Sequence, residues 1–100
     1  FLDKQWIESV PDETERMKFV LASYNVGLTH VKDAQKLTQK YGKDPTAWDG
    51  NVEYFLSQKS DPKYFRDPIV KVGYCRCDGP IRYVKEVLQR YEEYKLLIVA

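Results

Sequence analysis

The sequence predicts an all-α domain of five or six short helices, with one extended excursion around residues 69–77. Apolar residues recur at helical spacing through most of the 100 residues. Capping residues, prolines and glycines separate these apolar runs, as is usual between short helices. The composition, 43% hydrophobic and 31% charged, is typical of a globular protein, and the length suits a single domain.

The first strong helical signal follows Asp12. Asp12 and Glu15 have the spacing of a capping box, in which two side chains satisfy free amide groups at a helix start. The next apolar residues fall on one helical face, which we expect to be buried: Met17, Val20, Leu21 and Tyr24. Because asparagine and glycine both tolerate a positive φ, we expect this helix to end at Asn25 and Gly27.

The second predicted helix begins with Thr29 as its capping residue and ends before Gly42. Its apolar face comprises Val31, Ala34, Leu37 and Tyr41. Asp44 followed by Pro45 is a cap with a first-turn proline. This pair opens a short turn that carries Trp48, which we expect to form a lid over the small core.

Shorter elements complete the chain. Residues 49–51 (Asp-Gly-Asn) predict a turn, and a short helix follows with the apolar residues Val52, Phe55 and Leu56. A second Asp-Pro pair at 61–62 precedes another short helix. The stretch 69–77 is β-branched and aromatic, so it is either a short strand or an ordered extended loop. Residues 78–80 (Asp-Gly-Pro) open the longest helix.

The two cysteines, Cys75 and Cys77, are separated by one residue. A C-x-C pair is a poor zinc half-site without a second pair, and His30 is the only histidine, so we predict no metal and no cofactor. Residues two apart in an extended chain point the same way, which leaves a strained disulfide open. Two free, partly buried thiols are the interpretation we favour.

Charge and hydropathy exclude two classes of protein. The formal net charge is +1, from 16 basic and 15 acidic residues, whereas a nucleic-acid binder needs a basic face. No apolar stretch approaches the roughly 18 residues that a membrane-spanning helix needs. The chain opens at Phe1 rather than methionine, so we expect it to be a piece of a longer protein. Its eight tyrosines suit sugar contacts as well as a small core.

Residues 21–27 (Leu-Ala-Ser-Tyr-Asn-Val-Gly) resemble the A-A-Y-N-x-G signature of lytic transglycosylases with the goose-lysozyme-like fold. The resemblance continues in order through five further segments, at 30–34, 56–58, 63–65, 73–76 and 83–87. It covers most of the chain. It implies a partial lysozyme-like helical domain, in which residues 1–100 are the C-terminal part of the catalytic domain.

The resemblance also implies a function. The family cleaves the β-1,4 bond between N-acetylmuramic acid and N-acetylglucosamine in peptidoglycan without water, leaving a 1,6-anhydro product. Tyr24 and Tyr83 match supporting residues near the catalytic carboxyl, whereas Asn25 and Gly27 match substrate-binding residues of the motif. His30 is a weaker substrate-binding candidate, because it lies in the first turn after the motif, where it could contact sugar. A solvent-exposed position at a helix start is the plainer interpretation of His30. The implied partner is a peptidoglycan glycan strand, with no nucleic acid, in the periplasm and associated with the outer membrane.

The general-acid glutamate of the family is not predicted within this chain. It belongs to a Glu-Ser motif several tens of residues upstream of the Tyr-Asn-x-Gly helix, and Glu8-Ser9 lies too close to Tyr24 to match it. Gly79 stands where the family usually carries an acidic residue. We therefore expect the chain alone to be inactive and to dimerise through apolar surface on Val20, Leu21 or Tyr83 that truncation exposes. The alternatives are a non-catalytic glycan-binding module and a helical interaction domain whose tyrosines form the core.

Overall fold

The computed structural model describes residues 1–99, in which six α-helices surround one core. Their bounds are α1 Leu2–Trp6, α2 Glu13–Val26, α3 Leu28–Lys40, α4 Glu53–Ser57, α5 Pro62–Phe65 and α6 Asp78–Val99. No β-strand occurs within residues 1–99, which confirms the all-α prediction and is consistent with part of a lysozyme-like domain. Residues 69–77 form irregular turns, so the ordered loop is the correct alternative there.

Helix α2 begins as predicted but buries a different face. The Asp12 carboxylate accepts the amide N–H of Glu15 at 3.0 Å, which is half of the predicted capping box. The fully or almost fully buried residues of α2 are Phe19, Ala22 and Ser23. The predicted stripe from Met17 to Tyr24 is only partly covered, because α6 lies along that side while the core lies on the other.

Helix α3 starts directly after Gly27, so Thr29 lies inside its first turn and the prediction of Thr29 as the cap was wrong. The end of α3 is as predicted. The Lys43 amide donates to the Thr38 carbonyl at 2.9 Å, and the Gly42 amide donates to the Gln39 carbonyl at 3.1 Å. This pair of bonds is a Schellman closure, which Gly42 permits with its φ of 76°.

Trp48 lies inside the core rather than over it as a lid, since its side chain is fully buried. The turn that follows explains this placement. Asp49 (φ −61°, ψ 120°) and Gly50 (φ 71°, ψ −2°) have the central angles of a type II turn, which requires glycine at its third position. The turn directs the indole beneath α2, where its ring centroid lies 5.4 Å from that of Phe19. Phe19 in turn lies 5.0 Å from the ring of Trp6.

Helix α6 packs along α2 and touches α4. Val84 is buried and Ile81 and Leu88 are partly buried, whereas the side chains of Tyr94 and Leu97 are 61% and 78% exposed. The N-terminal half of α6 therefore closes the core. None of the helices within residues 1–99 is both long enough and apolar enough to cross a membrane.

The two cysteines are bridged, so our interpretation of free thiols was wrong. Cys75 and Cys77 form a disulfide with their Cα atoms 5.4 Å apart, and both are buried. Their loop is not a regular strand, because Gly73 bends the chain with a φ of 69°. The Cα separation falls within the ordinary range for a disulfide. The Cys75 amide donates to the Lys59 carbonyl at 3.1 Å, which fixes this loop beside the core.

Candidate functional site

Two polar side chains protrude from the C-terminal end of α2. Tyr24 is 74% exposed and Asn25 is exposed, although their neighbours Ala22 and Ser23 are buried. Successive helical residues are about 100° apart, so a helix that buries Ala22 and Ser23 turns the next two side chains towards solvent. The phenol and the carboxamide are therefore available to a ligand rather than used inside the core.

Gly27 gives this end of α2 its shape. Its φ of 103° lies in a region that L side chains rarely adopt, and its amide donates to the Ser23 carbonyl at 2.9 Å. A Cβ atom added at Gly27 would meet nothing within 4 Å. The requirement for glycine is therefore conformational: the chain must turn sharply from α2 into α3 just behind Asn25.

A buried hydrogen bond anchors the same end of α2. The Trp6 indole Nε1–H donates to the Ser23 hydroxyl at 2.9 Å, and both groups are buried. Ser23 stands where the A-A-Y-N-x-G signature has its second alanine. No local pattern predicts this bond, because its partners lie 17 residues apart. It holds the backbone of Tyr24 in place from beneath.

Tyr83 lies on α6 and is partly buried. A groove of about 250 Å3 lies between α2 and α6. Glu13 and Met17, from the beginning of α2, line one side, and Leu88 and Lys95, from the C-terminal half of α6, line the other. The start of α2 therefore lies beside the later part of α6, so the two helices run antiparallel. That direction places the end of α2, with Tyr24, at the same end of the helix pair as Tyr83. Among the residues that the structure describes, Tyr83 and Tyr24 share no hydrogen bond. Neither residue lines the groove.

His30 lies in the first turn of α3, as the plainer interpretation held, but its side chain is only partly exposed. Its Nδ1 lies 2.8 Å from Nζ of Lys59, which is fully buried. Lys59 Nζ also donates to Asp33 Oδ2 at 3.0 Å. The Asp33 carboxylate accepts two backbone amides as well, from Lys71 at 2.8 Å and from Val72 at 3.0 Å. This buried cluster ties α3 to the turn at Gln58–Ser60 and to the loop before the disulfide.

The cluster perturbs the ionisation of its members. Burial opposes the charge on Asp33, but the amides of Val72 and Lys71 and the Lys59 ammonium outweigh it, so the pKa of Asp33 lies below its usual value. Burial lowers the pKa of His30, and the charge of Lys59 lowers it further. Burial also lowers the pKa of Lys59, although Asp33 opposes this effect.

A neutral His30 is therefore favoured, with Nδ1 accepting from the Lys59 ammonium and Nε2 carrying the proton. His30 is also the only one of the three side chains with appreciable exposed surface. Its position one turn into α3, close behind Gly27, makes the Nε2–H a possible donor to a ligand. The Lys59 ammonium thus favours one tautomer of His30, which the sequence offers as a weaker candidate for sugar contact.

None of the nearby carboxylates has the surroundings of a general acid. Glu8 lies exposed in the turn after α1. Glu15 is engaged on both oxygens, by the Lys18 ammonium at 2.7 Å and by the Trp48 amide at 2.8 Å. Asp78, beside Gly79, is exposed and paired with Arg76 at 3.4 Å. Within residues 1–99, no three His, Cys, Asp or Glu side chains come together so as to hold a metal ion.

No family model matches the chain. The chain is 38% identical over 95 residues to "Membrane-bound lytic murein transglycosylase F" of Shewanella frigidimarina, which covers 92% of the chain and 19% of that relative. It is 41% identical over 85 residues to the protein of the same name from Shewanella halifaxensis, with 85% and 17% covered. The Vibrio cholerae protein is 38% identical over 92 residues, with 89% and 17% covered. The chain thus spans under a fifth of the length of these curated relatives.

Proposed function

Because the chain is homologous to a segment of membrane-bound lytic murein transglycosylase F, we propose that it forms part of a peptidoglycan-cleaving domain. The bond cleaved is the β-1,4 link between N-acetylmuramic acid and N-acetylglucosamine, and the product carries a 1,6-anhydro ring. The exposed Tyr24-Asn25 pair carries the proposal, since it matches the family signature and lies free at the end of a firmly anchored helix. Like its relatives, which are named membrane-bound, the protein would act in the cell envelope.

Each site residue has a distinct role in this proposal. Asn25 offers a donor and an acceptor, which suits the N-acetyl group of a sugar. In the complete site, the Tyr24 hydroxyl would lie near the catalytic carboxyl, and Tyr83 on α6 would support the same carboxyl. Gly27 makes the turn that exposes Asn25, and His30 donates from Nε2. A glycan strand lying across the end of α2 would contact these groups.

We further propose that the general acid comes from outside this chain. A glutamic acid that protonates a glycosidic oxygen needs a raised pKa and therefore a poorly solvated position. Glu8 is exposed, and Glu15 is held by a cation and an amide. The relatives are about five times longer than the matched segment and have room for the acid elsewhere. The chain alone should release no 1,6-anhydro product from purified peptidoglycan, and detection of that product by mass spectrometry would refute this proposal.

Glycan binding by the chain can be tested directly. Titration of the 15N-labelled chain with a peptide-free glycan should shift the backbone amides of Tyr24, Asn25 and Gly27 and those around Tyr83. Asn25→Ala should weaken binding about thirtyfold, because it removes a donor and an acceptor from a site where each contributes about 1 kcal/mol. The matched control is Tyr54→Phe, which alters an exposed tyrosine on α4. Equal binding by wild type and Asn25→Ala would contradict the site assignment.

The non-catalytic glycan-binding module remains the second candidate, because the carboxylates described above do not supply a general acid. It predicts the same binding and the same effect of Asn25→Ala. The two candidates differ in the full-length protein, where only the transglycosylase yields anhydro products. A helical interaction domain predicts neither binding nor cleavage.

Dimerisation is also proposed, through a different surface from the one predicted. Val20, Leu21 and Tyr83, the expected contact residues, are all partly buried by packing. The more exposed apolar residues lie near the end of α6, where Leu96 is 70% and Leu97 is 78% exposed. Sedimentation analysis should show a concentration-dependent dimer that Leu97→Glu weakens, whereas a monomer at high concentration would contradict the proposal.

A further inference from the structure

A cleft of about 160 Å3 opens where α3 begins. It is lined by Leu28, Thr29, Lys32, Asp33, Lys36 and Lys71. Leu28 directly follows Gly27, so the cleft adjoins the turn behind Tyr24 and Asn25. The volume corresponds to about five water molecules, which suits one small polar group rather than a sugar ring with its substituents.

The cleft carries positive charge that is not balanced locally. Three of its six lining residues are lysines, although the whole protein has a net charge of only +1. Asp33 is the single acid in the lining, and its carboxylate is already engaged by the buried Lys59 ammonium. Within residues 1–99, no acidic side chain lies within 4.0 Å of the ammonium groups of Lys32, Lys36 or Lys71.

Contacts around the cleft position the Lys32 ammonium and the backbone of Lys71. Lys32 Nζ lies 4.6 Å from the centre of the Trp6 ring and donates to the Gln5 carbonyl at 3.1 Å. The backbone amide of Lys71 donates to Asp33, which fixes the loop that carries it. Lys36 follows Lys32 by four residues on α3, and like charges at this spacing destabilise a helix. An anion bound between them would relieve that repulsion.

We propose that this lysine cleft binds a carboxylate of the peptide stem attached to muramic acid, while the adjoining end of α2 binds the sugar. The inference rests on the proposed function, because it takes the substrate to be peptidoglycan. Stem peptides carry several free carboxylates, and a single carboxylate group fits a small basic cleft. The free first-turn amides of α3 also favour an anion at this position.

A pair of ligands separates carboxylate recognition from sugar recognition. The 15N-labelled chain is titrated at low ionic strength with a muramyl peptide bearing free carboxylates and with the same compound after conversion of its carboxylates to amides. The free acid should bind about fivefold more tightly and should shift the amides of Leu28, Thr29 and Lys71. At 0.5 M salt the difference should vanish, because charges are then screened beyond about 4 Å.

Two substitutions test the lysines themselves. The double variant Lys36→Gln/Lys71→Gln should weaken binding of the free acid about four- to ninefold, since an exposed charge pair contributes about two- to threefold. It should leave the amidated ligand unaffected. Lys43→Gln is the matched control, because Lys43 is exposed and does not line the cleft. Far-UV circular dichroism verifies that the variants remain folded.

Each outcome bears on one claim only. Equal affinity for the acid and the amide, with binding of peptide-free glycan intact, overturns the lysine-cleft proposal and leaves the proposed function standing. If the wild-type chain binds no glycan at all, the proposed function is overturned instead. Inorganic phosphate is titrated as a third probe. If phosphate shifts the same amides and displaces the muramyl acid at equal concentration, the cleft recognises a general anion and the stem-peptide proposal fails.

Discussion

Replacing Asp33 by asparagine removes the negative charge that faces a fully buried lysine. The Asp33 side chain is 1% exposed and that of Lys59 is 0% exposed, with 3.0 Å between Oδ2 and Nζ. Two backbone amides also donate to the carboxylate, one to each oxygen. Asparagine keeps one acceptor oxygen, so its NH2 group would face at least one of the three donors that now contact the carboxylate, and the Lys59 ammonium would lose its negative partner.

The expected loss follows from this geometry. Removing one partner of a buried ion pair costs about 3–5 kcal/mol, because the remaining charge stays desolvated. A domain of this size has a free energy of unfolding of about 5–15 kcal/mol, so Asp33→Asn should be close to unfolded at the low end of that range. Asp33→Asn/Lys59→Met should cost less than the sum of the two single variants, with a coupling of about 2 kcal/mol.

Urea denaturation followed by tryptophan fluorescence measures these losses, since Trp6 and Trp48 are both fully buried. Asp3→Asn is the matched control. Asp3 pairs with Arg16 at 2.8 Å, but its side chain is 59% exposed, so its loss should cost at most about 1 kcal/mol. If Asp33→Asn costs no more than Asp3→Asn, or if the double variant is simply additive, the argument from the buried pair is refuted.

Three further predictions concern the same scaffold. The folded-state pKa of Asp33 lies below its unfolded value, so the free energy of unfolding should fall as the pH drops below about 4. The pKa of His30 is also lowered by folding, so the free energy of unfolding should rise with pH up to about 6.5. In a pH series of urea denaturation curves, His30→Gln should flatten this second part. Gly27→Ala should raise no steric clash but cost about 1–2 kcal/mol for its positive φ, and a melting temperature equal to wild type would contradict this. Trp6→Phe should cost about 1–3 kcal/mol by leaving the Ser23 hydroxyl unpaired, and hydrogen exchange should quicken at the end of α2.

Local signals in the sequence were sufficient for several helix ends. The caps at Asp12 and Asp61 and the closure at Gly42 form as predicted, because each depends on groups within a few residues. The buried face of α2 was not predictable in this way. The helical periodicity of the apolar residues predicted that the face containing Val20 would be buried. Packing of α2 against two different elements decided instead which face became part of the core.

The site was predictable only in part. The signature singled out Tyr24 and Asn25 as candidates, and both side chains are exposed. The buried ion pair escaped prediction, because Lys59 stands in a short polar stretch and its partner Asp33 lies 26 residues away. Burial of a lysine follows from the folded arrangement of α3 and the later loops, and no local pattern encodes it.

Intermolecular nuclear Overhauser effects between a bound glycan and the chain test the central claim most directly. The account predicts contacts from the N-acetyl methyl protons of the sugar to the Asn25 side-chain amide and the Tyr24 ring. Contacts confined to the α2–α6 groove, at Met17 and Leu88, would show that the glycan binds elsewhere and would contradict the account.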